Sequence, residues 1–346
     1  MALEKATLTF YKVDSCGLYK WGDHTPFLGD TVDILDDLLS WSSGKGVAQT
    51  ATYQVPKGND LLPSLLLDIK KAGNNYLLTL WNQTPTQQGS VPSVDPNSSV
   101  GSASVTMNGT KKGTIPGFAT YFWFIPSERV FACVQFDHST TGHKVMEKYV
   151  KSFIDPFSKH VVFNLKADGT FESKGYAGHL SDKHLNLHPK FSSSLFRKPG
   201  NTDHILDNHA MIEQVVRKTN LEMKNTADKQ LLQRMMDAFR RGINISSKLP
   251  ASGINVNYQM PIDLTRQELE ALIKDWEKSN SNSKVQWDDY GFKIKGEMNK
   301  IYWLSGSIAR DGFDLDVSRQ NAEVIDSNSL IQELNKKSQY ILRLIK

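Results

Sequence analysis

A chain of 346 residues with 39% hydrophobic, 10% aromatic and 23% charged residues holds enough apolar side chains to exclude global disorder, and its length favours two domains over one core. The net charge of +4 is uneven: residues 1–100 carry 7 Lys against 10 Asp and Glu, whereas residues 101–200 carry 13 Lys and Arg against 7, so positive potential concentrates in the middle if those side chains share a face. No apolar run approaches a membrane span and the first residues lack a signal-like core, so the expected location is the cytoplasm; Cys16 and Cys133, in unlike contexts, read as buried thiols and not as a disulfide.

In chain order, Thr7–Val13 reads as a strand, followed by a helix from about Thr31 to Trp41. Asp30 can cap it, Asp33 favours its first turn, and Val32, Leu35, Leu38 and Leu39 supply its inner face. Strands are expected near Ala48–Val55 and Tyr76–Trp81, with a short helical or apolar segment at 61–71 between them. Residues 82–114 form a long polar loop, in which Ala103, Val105 and Met107 alternate toward an Asn108-Gly109 turn beside Lys111 and Lys112. Phe118–Ile125 and Val130–Phe136 are aromatic and β-branched runs joined by Pro126-Ser127-Glu128-Arg129, an antiparallel hairpin. A basic amphipathic helix follows from about Gly142, with Val145, Met146, Tyr149, Val150 and Phe153 inward and Lys144, Lys148 and Lys151 along the opposite edge.

Val161–Leu165 reads as another strand, and the chain is then polar to Gly200. Two helices are expected over residues 203–224 and 226–241, the second with Arg240 and Arg241 outward. Thr265-Arg266-Gln267-Glu268 has capping-box spacing, Tyr290–Lys295 alternates Phe292 and Ile294 against Lys293 and Lys295, and Ile301–Ala309 can pair with Phe313–Val317 through Arg310-Asp311-Gly312. Ser329–Gln332 repeats the capping-box spacing before a last helix, whose Leu330, Leu334, Ile341, Leu344 and Ile345 stripe either docks on the chain's own core or joins two copies. The fold class is α+β: a mixed or antiparallel sheet domain over 1–166, a polar His-containing connector over 167–202, and a helical segment with a second α+β region over 203–346.

Chemistry-bearing patterns are sparse. Eight of the nine histidines fall between His138 and His209, but neither CxxC nor HExxH accompanies them, and no metal or cofactor is assigned. Asp68-Ile69-Lys70, Glu172-Ser173-Lys174 and Glu222-Met223-Lys224 each fit the carboxylate and lysine of a metal-dependent nuclease, and three hits in unlike settings show how permissive that pattern is. GxSxG, Walker and GxGxxG motifs are absent, so no catalytic residue is assigned and enzymatic function is the minority reading. Basic groups remain: Lys111 and Lys112; Lys144, Lys148 and Lys151; Arg217 and Lys218; Arg240 and Arg241; Lys293 and Lys295. Each alone suits a solvated face, and together, without a base-reading motif, they suit phosphate-backbone binding.

The order of elements resembles that of the family of the phage lambda exclusion protein RexA and, in outline, KwaB of the Kiwa antiphage system. The resemblance rests on Phe10-Tyr11 in the opening strand, the helix with Leu35, Leu38 and Leu39, YLLTLWN, the IPGFATYFWFIPSERVFACVQF hairpin with its basic helix, LTRQELEALIKDW and KIYWLSGSIARDG. It covers about residues 6–165 and 262–317, by pattern and by no single motif. It implies a cytoplasmic, homodimeric, DNA-binding antiphage protein working with a membrane-protein partner encoded nearby, without membrane insertion of its own, and it carries over no catalytic residue. The leading expectation is therefore a DNA-binding exclusion protein with little sequence specificity. The alternatives are a metal-dependent nuclease effector and a protein-interaction scaffold without nucleic acid.

Overall fold

The computed structural model describes residues 2–54, 63–84, 91–106, 113–136, 142–165, 171–177, 186–197, 201–221, 254–261, 264–280, 289–297 and 300–346. Its elements run β1 (Ala2–Tyr19), α1 (Thr31–Ser42), a 3-10 turn (Val47–Thr50), β2 (Ser64–Ala72), β3 (Asn75–Gln83), β4 (Ser93–Val94), β5 (Val105–Thr106), β6 (Ile115–Ile125), β7 (Val130–Phe136), α2 (His143–Phe157), β8 (Val161–Leu165), β9 (Phe171–Tyr176) and β10 (His188–Leu195). There follow α3 (Asn201–Asp207), β11 (Ile212–Leu221), β12 (Ile254–Pro261), α4 (Arg266–Asn280), β13 (Asp289–Ile294), β14 (Tyr302–Trp303), β15 (Arg310–Val317), α5 (Ser327–Lys336) and α6 (Ser338–Ile341). The α+β class holds.

The larger unit comprises residues 1–196 and 309–346. Its antiparallel sheet runs β10-β1-β7-β6-β3-β2, with β15 also on β1. The 18-residue β1 organises it: β7 pairs with Ala6–Lys12 on one edge, while β15 (against Ala2–Thr9) and β10 (against Tyr11–Tyr19) lie end to end along the other. Where those two strands meet, Phe196 N–H donates to Phe10 O, Phe10 N–H to Ala309 O and Ala309 N–H to Phe196 O, each at 2.9 Å. The chain leaves this sheet at Phe196 and re-enters at Ala309, so residues 197–308 are an insertion that forms the second unit.

Both faces of the large sheet are covered, which explains why β6 and β7 are apolar almost without interruption. Tyr121, Trp123 and Ile125 join one core with Leu330, Ile331 and Leu334 of α5, while Phe122, Phe124, Phe131 and Cys133 join the other with Leu35 and Leu38 of α1 and Met146, Tyr149, Val150 and Phe153 of α2. Each such fully buried large side chain stabilises the fold by about 1.5–3 kcal/mol relative to exposure. Cys16 and Cys133 are buried free thiols, and burial raises the Cys16 thiol to about 12. In α1, Asp30 accepts from Asp33 N–H at 2.9 Å as its spacing predicts, but Val32 is 37% exposed and Ile34 takes the inward position.

The second unit spans residues 197–308. Its sheet runs β12-β11-β13-β14, and Val215, Phe292 and Ile294 face Leu269, Ile273 and Trp276 of α4 in a third core. The capping box forms as read: Thr265 N–H donates to Glu268 Oε2 at 2.9 Å and Glu268 N–H to Thr265 Oγ1 at 3.3 Å. No helix among the described residues is long and apolar enough to cross a membrane.

Several expectations change. The division falls at 196 and 308 and not at 166 and 202, because β10, in the stretch read as a polar connector, is an edge strand of the main sheet in which Phe191 is the buried residue. Residues 212–221, read as helix, form β11, where pairing with β12 and β13 overrides local propensity. Residues 64–72, read as helical or apolar, form β2, buried on both faces, and Val47–Thr50 is a 3-10 turn and not a strand. Tyr302–Trp303 pairs with β13 and Arg310–Val317 with β1, so the hairpin expected through Arg310-Asp311-Gly312 does not form. The last helix is capped by Asp326, which accepts from Ser329 N–H at 2.7 Å, and its Leu330, Leu334 and Ile341 stripe is seated on the chain's own core, so it is not available to join two copies. The helix at 226–241 and the Asn108-Gly109 turn lie outside the described residues.

Candidate nucleic-acid interface

α2 presents the most regular basic feature. Its first turn starts at His143 with Gly142 as N-cap, and Met146, Tyr149, Val150, Phe153 and Ile154 are buried, which leaves Lys144, Lys148 and Lys151 exposed. At 100° per residue these three lie within about 60° of one another, along roughly 10 Å of helix. Val145, expected inside, is only partly buried. Lys144 Nζ donates to Glu147 Oε2 at 2.9 Å, and Lys148 Nζ stands 4.2 Å over the Tyr53 ring, a partner that no local spacing announces.

Beneath this edge lies a polar cluster that sequence reasoning missed. Ser193 of β10 donates its hydroxyl proton to Glu147 Oε1 at 2.7 Å and its N–H to the same oxygen at 2.8 Å. With that proton given to the carboxylate, Ser193 Oγ accepts from His143 Nε2 at 2.8 Å. The imidazole stacks on Tyr11 at 3.9 Å, and its buried Nδ1 has no hydrogen-bond partner among the described residues. Ser, His and Glu therefore meet, but in the wrong order for a nucleophile: His143 is the donor to Ser193, and Glu147 does not orient its Nδ1. Burial lowers the His143 imidazolium to about 4. Burial works to raise the Glu147 carboxyl, but hydrogen bonds from Ser193 and Lys144 hold it below its ordinary range. The cluster pins α2 to β10 and so fixes the lysine edge.

In the second unit the basic residues separate. Arg217 and Lys218, grouped as neighbours on a helix, are consecutive on β11 and point to opposite faces. Arg217 lies on the core-facing side, 5.0 Å over the Tyr290 ring. The register pairs Gln214 with Lys293, Val216 with Gly291 and Lys218 with Asp289, and Gly291 in turn with Trp303, so Lys218, Lys293 and Trp303 share the other face. There Lys218 Nζ sits 3.9 Å over Trp303 and Lys293 Nζ donates to Gln259 Oε1 at 2.9 Å. A Cβ at Gly291 would lie 2.5 Å from Ile301 Cγ2 and 2.9 Å from Trp303 Cε3, so the indole packs this closely only over glycine. Lys295 is exposed just beyond β13. Lys111, Lys112, Arg240 and Arg241 lie outside the described residues.

The nuclease patterns come to little that is shared. Asp68 is buried on β2, and Lys70 Nζ is 3.3 Å from its Oδ1. Glu222-Met223-Lys224, His138, His179 and His184 lie outside the described residues. Among the described residues no three His, Cys, Asp or Glu side chains come together in a group that could hold a metal ion. No protein-family model matches the chain, and no curated protein matches it in sequence.

Proposed function

We infer that the protein binds the phosphate backbone of DNA with little sequence selectivity, through the Lys144, Lys148 and Lys151 edge of α2. The observation that carries this reading is the row itself: three lysines on one exposed edge, on a helix whose other face is buried, held in place by the His143–Ser193–Glu147 cluster. Ammonium groups in such a row neutralise phosphates as point charges and read no base edges. Lys218 and Lys293, beside Trp303, form a second, smaller basic face in the inserted unit. The pattern resemblance to the RexA and KwaB proteins supplies the setting: a cytoplasmic antiphage exclusion protein, homodimeric, acting with a membrane-protein partner. Any dimer contact lies away from the covered C-terminal stripe.

The test is fluorescence anisotropy of the full-length protein with two duplexes of unrelated sequence across a salt series. The expected result is binding to both, within a few-fold of one another, that weakens steeply as salt rises. Absence of binding at low salt, or strong preference for one duplex, overturns the reading.

A further inference from the structure

A cleft of about 360 Å³, within the size range of small-molecule sites, opens between the second half of β1, the 25–32 segment and the β6–β7 turn. Backbone hydrogen bonds tie its walls together. Leu18 N–H donates to Leu28 O at 2.8 Å and Phe27 N–H to Leu18 O at 2.7 Å, and Gly17 permits this approach, since a Cβ there would lie 2.0 Å from Gly29 O. Across the cleft, Arg129 is the single non-glycine residue with positive φ among the described residues, at 54°. Its N–H donates to Pro126 O at 3.0 Å and its carbonyl accepts from Val13 N–H at 2.8 Å, so the turn holds a backbone conformation that arginine does not favour.

The lining is chemically mixed. Val13, Pro26, Val32 and Pro126 form apolar walls, and Asp14, Asp30 and Arg129 supply charge. Arg129 makes no ion pair among the described residues, although both carboxylates line the same cleft. Asp14 accepts from Ser194 Oγ at 3.0 Å and Asp30 from Asp33 N–H at 2.9 Å, each through one oxygen, and the other oxygen of each has no hydrogen bond among the described residues. Trp21, outside the lining, is 80% exposed and stacks on His188 of β10 at 4.5 Å.

We propose that this cleft binds a nucleotide unit with an amino-bearing base and one phosphate, either as a free nucleoside monophosphate or as the terminal unit of a single strand. The unpaired guanidinium takes the phosphate, the free oxygens of Asp14 and Asp30 accept from the exocyclic amino group, and the proline and valine walls hold the planar ring. A single cation opposite two carboxylates disfavours a polyphosphate. This site shares no residue with the α2 edge, so it stands or falls separately from backbone binding.

The experiment is isothermal titration calorimetry of the full-length protein with AMP, with a 5′-phosphorylated adenine trinucleotide and, as a competing chemistry, with L-arginine. Saturable binding of AMP or the trinucleotide is expected, and the tighter of the two identifies the source. Arg129→Gly removes the guanidinium while glycine adopts the same backbone freely, so it should fold as well as the parent and bind at least about tenfold more weakly. The variant lacking the three α2 lysines should bind AMP like the parent. Failure of both nucleotides to bind, binding of L-arginine alone, or parental affinity in Arg129→Gly overturns the proposal.

Discussion

Replacing Lys144, Lys148 and Lys151 together with glutamine separates the binding role of α2 from its structural role. The stability cost follows from their contacts. Lys144 loses an ion pair in which its side chain is 51% exposed, worth about 0–1 kcal/mol, and Lys148 loses its place over Tyr53, worth about 0.5–1 kcal/mol. Lys151 is exposed, and glutamine forms helix about as well as lysine. The total, about 0.5–2 kcal/mol, is small against a global stability of roughly 5–15 kcal/mol, and Glu147 keeps its bonds from Ser193. The variant should therefore stay folded, with a modestly lower melting temperature. Binding should change far more: each lost phosphate contact reduces the slope of log K against log salt by about 0.9, so all three together remove roughly 2.7. Anisotropy titrations of parent and variant over a salt series measure this difference. A folded variant with an unchanged slope would refute the interface, and an unfolded one would refute the assignment of the exposed edge.

Gly291→Ala places a methyl group against Ile301 and Trp303 and should destabilise the inserted unit by about 1–3 kcal/mol; a parental melting curve would contradict the β13–β14 register. Leu334→Ala, at a fully buried position of α5, should cost about 2–5 kcal/mol without changing the oligomeric mass seen by light scattering, because that stripe packs on the chain's own sheet. Stability should fall as pH drops from about 6.5 toward 4: burial beside Tyr11 and Ser193, with the Lys144 charge, holds His143 neutral in the fold against the opposing pull of the Glu147 carboxylate, whereas the unfolded chain takes up the proton in that window. The loss approaches about 1.4 kcal/mol per pH unit for this one group, and His143→Phe should flatten that part of a denaturation-against-pH curve.

Local order was legible where the signal lies within a few residues. The Asp30 cap, the Thr265–Glu268 box, the Pro126–Arg129 turn and, Val145 apart, the buried face of α2 follow from spacing. Longer-range order was not. β10 has one buried aromatic among serines, so nothing local marks it as the partner of β1. β11 reads equally well as an amphipathic helix until β12 and β13 flank it, and that change of period places Arg217 and Lys218 on opposite faces. The insertion is invisible for a similar reason: Phe196 and Ala309, far apart in the chain, meet only through backbone hydrogen bonds to Phe10 and to each other. At the candidate interface the three α2 lysines were legible from helical spacing, whereas Tyr53, which lies under Lys148, and Ser193, which anchors Glu147, come from other elements.

The most direct test of backbone binding through α2 is lysine footprinting: acetylation of the full-length protein with and without a saturating duplex, read by mass spectrometry. Lys144, Lys148 and Lys151 should be protected by duplex, while exposed Lys12, on β1, should label equally in both. Bound duplex with all three α2 lysines labelled as fully as in the free protein would contradict the account.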